Sequence, residues 1–284
     1  MNSILFYFIA VKLILNEIYI IIITMTTVMT TYAKQPYGAE FAKEHMQMPF
    51  IICGGYLAFI HAFSKHMKYK KAYSLTQPLI YWNTMLCLFS FVGALQTVPM
   101  LVGMIYNSNE VKDTICINPT NSWGQNPWIG FFIYSKIPEL FDTFFIVARK
   151  RPLIFLHWYH HVTVLLYCWH SYATEAPQAL YFVAMNYSVH SIMYGYYALS
   201  AMKLKPAWLP PVMITATQIS QMVVGVFVQC IASYQYITTS YESCPLNGRN
   251  IFWGGIMYAS YLKLFSDFAF NRYTPKVLKP VKKL

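Results

Sequence analysis

The stretch PLIFLHWYHHVTVLLYCWHSY, residues 152–172, decides the fold. It is long enough to cross a bilayer core, which takes roughly 20 mostly apolar residues, yet it carries His157, His160 and His161 in its first half. Histidines at i, i+3 and i+4 fall on one face of a helix. Ionisable side chains inside a membrane are costly and tend to mark functional positions. The expectation is an all-α membrane protein with chemistry gathered around this face.

The rest of the chain agrees. Of its 284 residues, 57% are hydrophobic and 11% are charged, against about 25% charged in a soluble domain. Seven segments read as spanning helices: 48–64, 78–105, 126–148, 152–172, 178–201, 208–233 and 250–270. The 24 Tyr and 20 Phe suit interfacial belts and a lipid-binding interior. Residues 1–32 form an N-terminal extension without an assigned role, 33–275 the seven-helix domain and 276–284 a basic tail.

The net charge of +11 does not point to nucleic acid, because the basic residues collect in alternate connections. Lys65, Lys68, Lys70 and Lys71 follow the first span, Arg149, Lys150 and Arg151 the third, and Lys203 and Lys205 the fifth. Arg272, Lys276, Lys279, Lys282 and Lys283 follow the seventh, and the other three connections hold only Lys112 and Arg249. Positive charge marks the cytosolic side, so the C-terminus is expected there. Cys116 and Cys244 are the only cysteines in the two long connections on the opposite side, and an oxidising lumen would allow them to pair.

Counting back from the basic ends at about 1.5 Å per residue, the polar residues of five spans lie at one depth, about 8–20 Å in. Lys136, Glu139 and Asp142 come from the third span and the three histidines from the fourth. Asn186, His190 and Tyr194 come from the fifth, Gln218 and Gln221 from the sixth, and Lys263 and Asp267 from the seventh. The expectation is a polar chamber open to the cytosol, continued by an apolar tunnel toward the lumen.

Two chemistries fit such a cluster. One is a histidine-box non-haem iron site, as in membrane desaturases and hydroxylases. Those enzymes need several boxes, and this chain has one box plus His190. The other is metal-free acyl transfer, in which a neutral imidazole attacks a thioester and carries the acyl group. A receptor or transporter is a third class, and a chamber facing the cytosol fits a receptor poorly.

Four sequence boxes bear on the choice. They are Lys136-Ile-Pro-Glu139-Leu-Phe-Asp142-Thr143, His157-Trp-Tyr-His160-His161, Asn186-Tyr-Ser-Val-His190-Ser-Ile-Met-Tyr194-Gly-Tyr-Tyr197, and Thr215-Ala-Thr-Gln218-Ile-Ser-Gln221. In this order they resemble the boxes of the ELO family of fatty acid elongases, over roughly residues 48–275. The resemblance implies a seven-helix enzyme of the endoplasmic reticulum membrane with a cytosolic C-terminus. It implies condensation of a long-chain acyl-CoA with malonyl-CoA, with no further cofactor and no metal. The reductases and dehydratase of the elongation cycle would be its partners, and a homo-oligomer is compatible with it.

On this reading His160 is the nucleophile, His190 assists it, and His157 and His161 carry or orient protons. Asp142 and Asn186 fix tautomers. Lys136, Glu139, Arg149, Lys150, Tyr194, Tyr197, Gln218 and Gln221 contact substrate. The His-Trp-Tyr-His-His form of the box resembles the subgroup acting on saturated and monounsaturated chains. Ala148 stands where the family usually has leucine, and the tail departs from a dilysine signal because Pro280 and Val281 precede Lys282.

Overall fold

The computed structural model describes residues 37–119 and 122–274. The N-terminal extension and the basic tail lie outside the described residues. Within them the chain is helical, without strands. A short α1 (Tyr37–Glu44) precedes α2 (Met48–Met67) and α3 (Thr76–Tyr106). Then come α4 (Val111–Ile115), a 3-10 turn (Trp123–Gln125), α5 (Pro127–Glu139) and α6 (Asp142–Ala148). The chain continues through α7 (Phe155–Ala173), α8 (Ala179–Ala201), α9 (Pro211–Thr238) and α10 (Gly248–Tyr273).

Each expected span falls on helix, with one correction. The segment expected to run unbroken over 126–148 divides into α5 and α6. Pro138 has no N–H to continue the ladder. The chain tightens past it into i→i−3 bonds, Leu140 N to Ile137 O at 3.1 Å and Phe141 N to Pro138 O at 2.9 Å. The break leaves Asp142 on the first turn of a new helix. By length and composition α2, α3 and α9 can cross a membrane. The break shortens α5, and ionisable residues dilute α7 and α10.

Local chemistry sets the helix ends. Asn126 and Asn247 cap α5 and α10 by accepting from the backbone N–H of Trp128 and Asn250. Three helices stop without glycine. Lys150, Glu175 and Lys203 take φ of 54°, 48° and 63°. In each case the next residue bonds back to the carbonyl five positions earlier, as Arg151 N does to Ile146 O at 2.9 Å. This is a Schellman cap with a side chain where glycine is favoured.

α7 lies centrally, packed against α1, α2, α5 and α10. α8 runs antiparallel to it across the connection 174–178 and packs along α3, while α9 packs along α10. Gly93 permits the α3–α8 approach, since a Cβ there would overlap the Tyr187 ring. At the end of the bundle away from the basic connections, Cys116 and Cys244 are joined by a disulfide that links α4 to the approach to α10.

Candidate active site

A cavity of about 600 Å³ opens between α6, α7, α8, α9 and α10. All three box histidines line it, with Asp142 and Arg149 from α6 and its end. The α8 stripe supplies Asn186, His190, Tyr194 and Tyr197, and α9 supplies Gln218 and Gln221. Arg151 and Lys205 join Arg149 on its wall. A second, narrow cavity of about 40 Å³ continues from it along α7 and is lined mostly by apolar side chains. The two share His160, Asn186, Gln221 and Met222.

His160 therefore stands at the junction of a polar and an apolar space. Its backbone carbonyl accepts from the Tyr261 hydroxyl at 3.1 Å, and its ring lies 5.1 Å from that of Tyr261. Among the described residues its ring nitrogens have no hydrogen-bond partner. The imidazole is held by packing, with its lone pair free to react.

His190 is oriented through a chain of contacts that begins at Lys136. The buried ammonium of Lys136 donates to Glu139 Oε1 at 2.7 Å and to Asn186 Oδ1 at 3.2 Å. That turns the amide NH₂ of Asn186 toward His190 Nε2, 3.3 Å away. Nε2 then accepts, and the proton of a neutral ring sits on Nδ1. Nδ1 faces Glu139 Oε2 at 3.9 Å, a buried oxygen without a hydrogen-bond partner among the described residues.

Several expected roles change. Asp142 does not hold a histidine. Its two oxygens accept from Trp82 Nε1 and from the Tyr194 hydroxyl, because the break at Pro138 turns the first turn of α6 toward α3 and α8. Thr143, the next residue, meets the box instead. Its hydroxyl lies 2.9 Å from His157 Nε2 and 2.7 Å from the Tyr56 hydroxyl.

Lys136 and Glu139 lie behind the cavity wall, buried against each other and Asn186 rather than open to a substrate. Lys150 points away from the cavity and reaches the Lys68 carbonyl. Its left-handed backbone turns it outward and brings Arg151 in. Lys263 and Asp267 pair with each other on an exposed face of α10, which gives the cavity Phe265 and Phe268 instead.

Thr143 was findable as the last residue of its box. Tyr56 and Trp82, on α2 and α3, had no local pattern to mark them. The Thr143–Tyr56 pair predicts that Tyr56→Phe lowers kcat about two- to tenfold, the worth of one neutral hydrogen bond. It should also shift the pH–rate profile, while Thr143→Ser keeps both near wild type.

Comparison with known proteins gives the arrangement its family. The model described as ELO: GNS1/SUR4 family matches residues 41–281. The chain belongs to the ELO family. Very long chain fatty acid elongase 6 of Homo sapiens is 38% identical to this ELO chain over 246 residues, covering 86% of this chain and 91% of that protein. Elongase 3 of Homo sapiens is 39% identical over 252 residues, covering 86% and 92%. Elongase 6 of Drosophila melanogaster is 39% identical over 232 residues, covering 81% and 73%. With its apolar helices, this ELO chain is a multi-pass membrane protein.

Proposed function

We propose that this chain carries the growing acyl group on the imidazole of His160. As a member of the ELO family with relatives named very long chain fatty acid elongases, it is a condensing enzyme of fatty acid elongation, an acyltransferase. It joins a long-chain acyl-CoA to malonyl-CoA and yields a longer 3-oxoacyl-CoA, carbon dioxide and CoA.

The observation that carries the mechanism is the place of His160 between the two cavities, with no hydrogen-bond partner on its ring among the described residues. Its lone pair attacks the thioester carbonyl, the C–S bond breaks, and CoA leaves as the thiol after taking a proton. Malonyl-CoA then loses carbon dioxide. The electron pair left on its α-carbon attacks the acyl carbon, forming the new C–C bond and returning the imidazole. His190, set by Asn186, lines the same space and assists His160, and Glu139 Oε2 lies 3.9 Å from its Nδ1, where it would meet a positive charge on the ring. His157, tied to Thr143, and His161 serve as proton carriers.

On this reading the chain crosses the membrane seven times, residues 33–275 form the catalytic domain, and the polar cavity opens on the side of the basic connections. That side is cytosolic by the distribution of lysine and arginine, in keeping with an endoplasmic reticulum enzyme. Arg149, Arg151 and Lys205 at the cavity wall suit the phosphates of CoA. Arg151→Ala should raise the KM for acyl-CoA about tenfold or more, the worth of a charged hydrogen bond, whereas Lys150→Ala should leave it near wild type.

The deciding experiment incubates purified protein with labelled malonyl-CoA and a panel of acyl-CoAs. Lengthened 3-oxo products are expected. Their absence across the panel, or stoichiometric iron in the active protein, would overturn the reading.

A further inference from the structure

One end of the bundle carries exposed charge of nearly a single sign. Lys65, Lys68, Lys70 and Lys71 lie at and just beyond the end of α2, and all four are exposed. Lys150, also exposed, joins them, its Nζ donating to the Lys68 carbonyl at 3.4 Å. The Tyr73 N–H donates to the Ala148 carbonyl at 3.0 Å, and the Phe63 ring of α2 stacks on Phe144 of α6, 5.4 Å away. The connection between α2 and α3 is thus fixed against the end of α6. Arg149 and Arg151, on either side of Lys150, line the polar cavity. The lysines therefore form a surface beside the opening of that cavity and not part of its wall.

No carboxylate offsets these charges. Among the described residues none of the five lysines forms an ion pair. The carboxylates of this half of the bundle are already engaged. Glu139 is buried against Lys136, Asp142 accepts from Trp82 and Tyr194, and Asp267 pairs with Lys263 on α10. The cations outside and inside the cavity also differ in kind. Lysine outside is a compact, hydrated charge on a flexible stem, which attracts at a distance without imposing a geometry. Arginine inside presents a planar fork that matches phosphate oxygens.

We propose that these lysines form a collecting surface for malonyl-CoA, drawing it from the water to the cavity opening. This rests on the reading that malonyl-CoA is the second substrate. The two substrates arrive differently. The long apolar chain of acyl-CoA holds it at the bilayer, so it reaches the opening by moving along the membrane. Malonyl-CoA has no such chain and comes from bulk water. It carries the phosphates of CoA and a carboxylate besides, so charge is what the protein can act on at a distance. A field of one sign beside a cleft raises the local concentration and encounter rate of an opposite charge by about 10- to 10³-fold. Arg149, Arg151 and Lys205 on the cavity wall then take over the phosphates.

The test uses the full-length enzyme in nanodiscs of neutral phosphatidylcholine with saturating acyl-CoA. It measures kcat/KM for malonyl-CoA from about 20 mM to about 500 mM salt, over which the Debye length falls from roughly 20 Å to roughly 4 Å. Lys68→Gln, Lys70→Gln and Lys71→Gln together should lower kcat/KM about tenfold at low salt, with kcat within about twofold of wild type. The gap should close at high salt. Lys68→Arg, Lys70→Arg and Lys71→Arg together should match wild type. Lys112→Gln removes a charge at the opposite end of the bundle and should change neither constant. If the triple glutamine variant is poorly produced, Lys70→Gln with Lys71→Gln decides the matter, with a gap of about threefold at low salt. Equal kcat/KM in wild type and variant at every salt concentration would overturn the proposal. A gap seen only when phosphatidylserine is added would assign the surface to lipid and overturn it too. Both results leave the elongase reading intact, whereas a wild type that condenses malonyl-CoA with no acceptor would overturn both.

Discussion

His160→Ala should lose acyl-enzyme formation when the protein is incubated with labelled acyl-CoA alone, and condensation should fall by at least about 10³-fold. The expectation follows from position rather than from residue type. His157 is tied to Thr143 and His190 to Asn186, so neither ring has both nitrogens free of protein partners as His160 does. Only His160 of the four also lines the apolar bore as well as the polar cavity. His161→Ala should retain labelled acyl-enzyme, which separates loss of the carrier from general damage to the box. Persistence of the label in His160→Ala would move the carrier to His190.

The largest effect on stability is expected at Glu139→Ala. Lys136 and Glu139 are 2% and 4% exposed at their side chains and paired at 2.7 Å. Removing the carboxylate strands a buried ammonium, which typically costs about 3–5 kcal/mol. The remaining contacts of Lys136, the Asn186 amide oxygen and the face of Phe132 4.1 Å from Nζ, do not neutralise it. Thermal unfolding in detergent should show a clear drop in midpoint. A double variant, Lys136→Met with Glu139→Leu, should recover much of the loss, because the pair leaves together. Its activity should stay low, since the Asn186 amide would no longer be turned toward His190.

The helical architecture was legible because apolar length and basic flanks are one-dimensional signals. The clustering of Asn186, His190 and Tyr194 was legible for a similar reason, since i, i+4, i+8 is a helix face. What escaped were features set by one residue's backbone or by a distant helix. Pro138 sits in the middle of the 126–148 segment, and nothing in the spacing says that Asp142 begins a new helix. Depth counting placed Lys263 and Asp267 level with the site, but depth carries no azimuth, and they face outward. Likewise Arg149 and Lys150 read as substrate contacts and Arg151 only as a basic flank, whereas Arg149 and Arg151 line the cavity and Lys150 does not. The positive φ at Lys150 separates them, and a lysine gives no warning of it where a glycine would have.

The disulfide has a bearing on how the enzyme is made. Cys116 and Cys244 lie 128 positions apart, and Cys244 stands just ahead of Leu246 and the Asn247 cap that starts α10. Asn250 follows within that first turn. The oxidised bond therefore anchors the segment that delivers the buried Asn250 to Tyr167, Ser171 and Gln178, while the histidine box at the opposite end of α7 does not depend on it. Protein produced in a reducing host should keep its capacity for condensation but unfold at a lower temperature in detergent than the same chain matured in an oxidising compartment, because the bond closes a long loop.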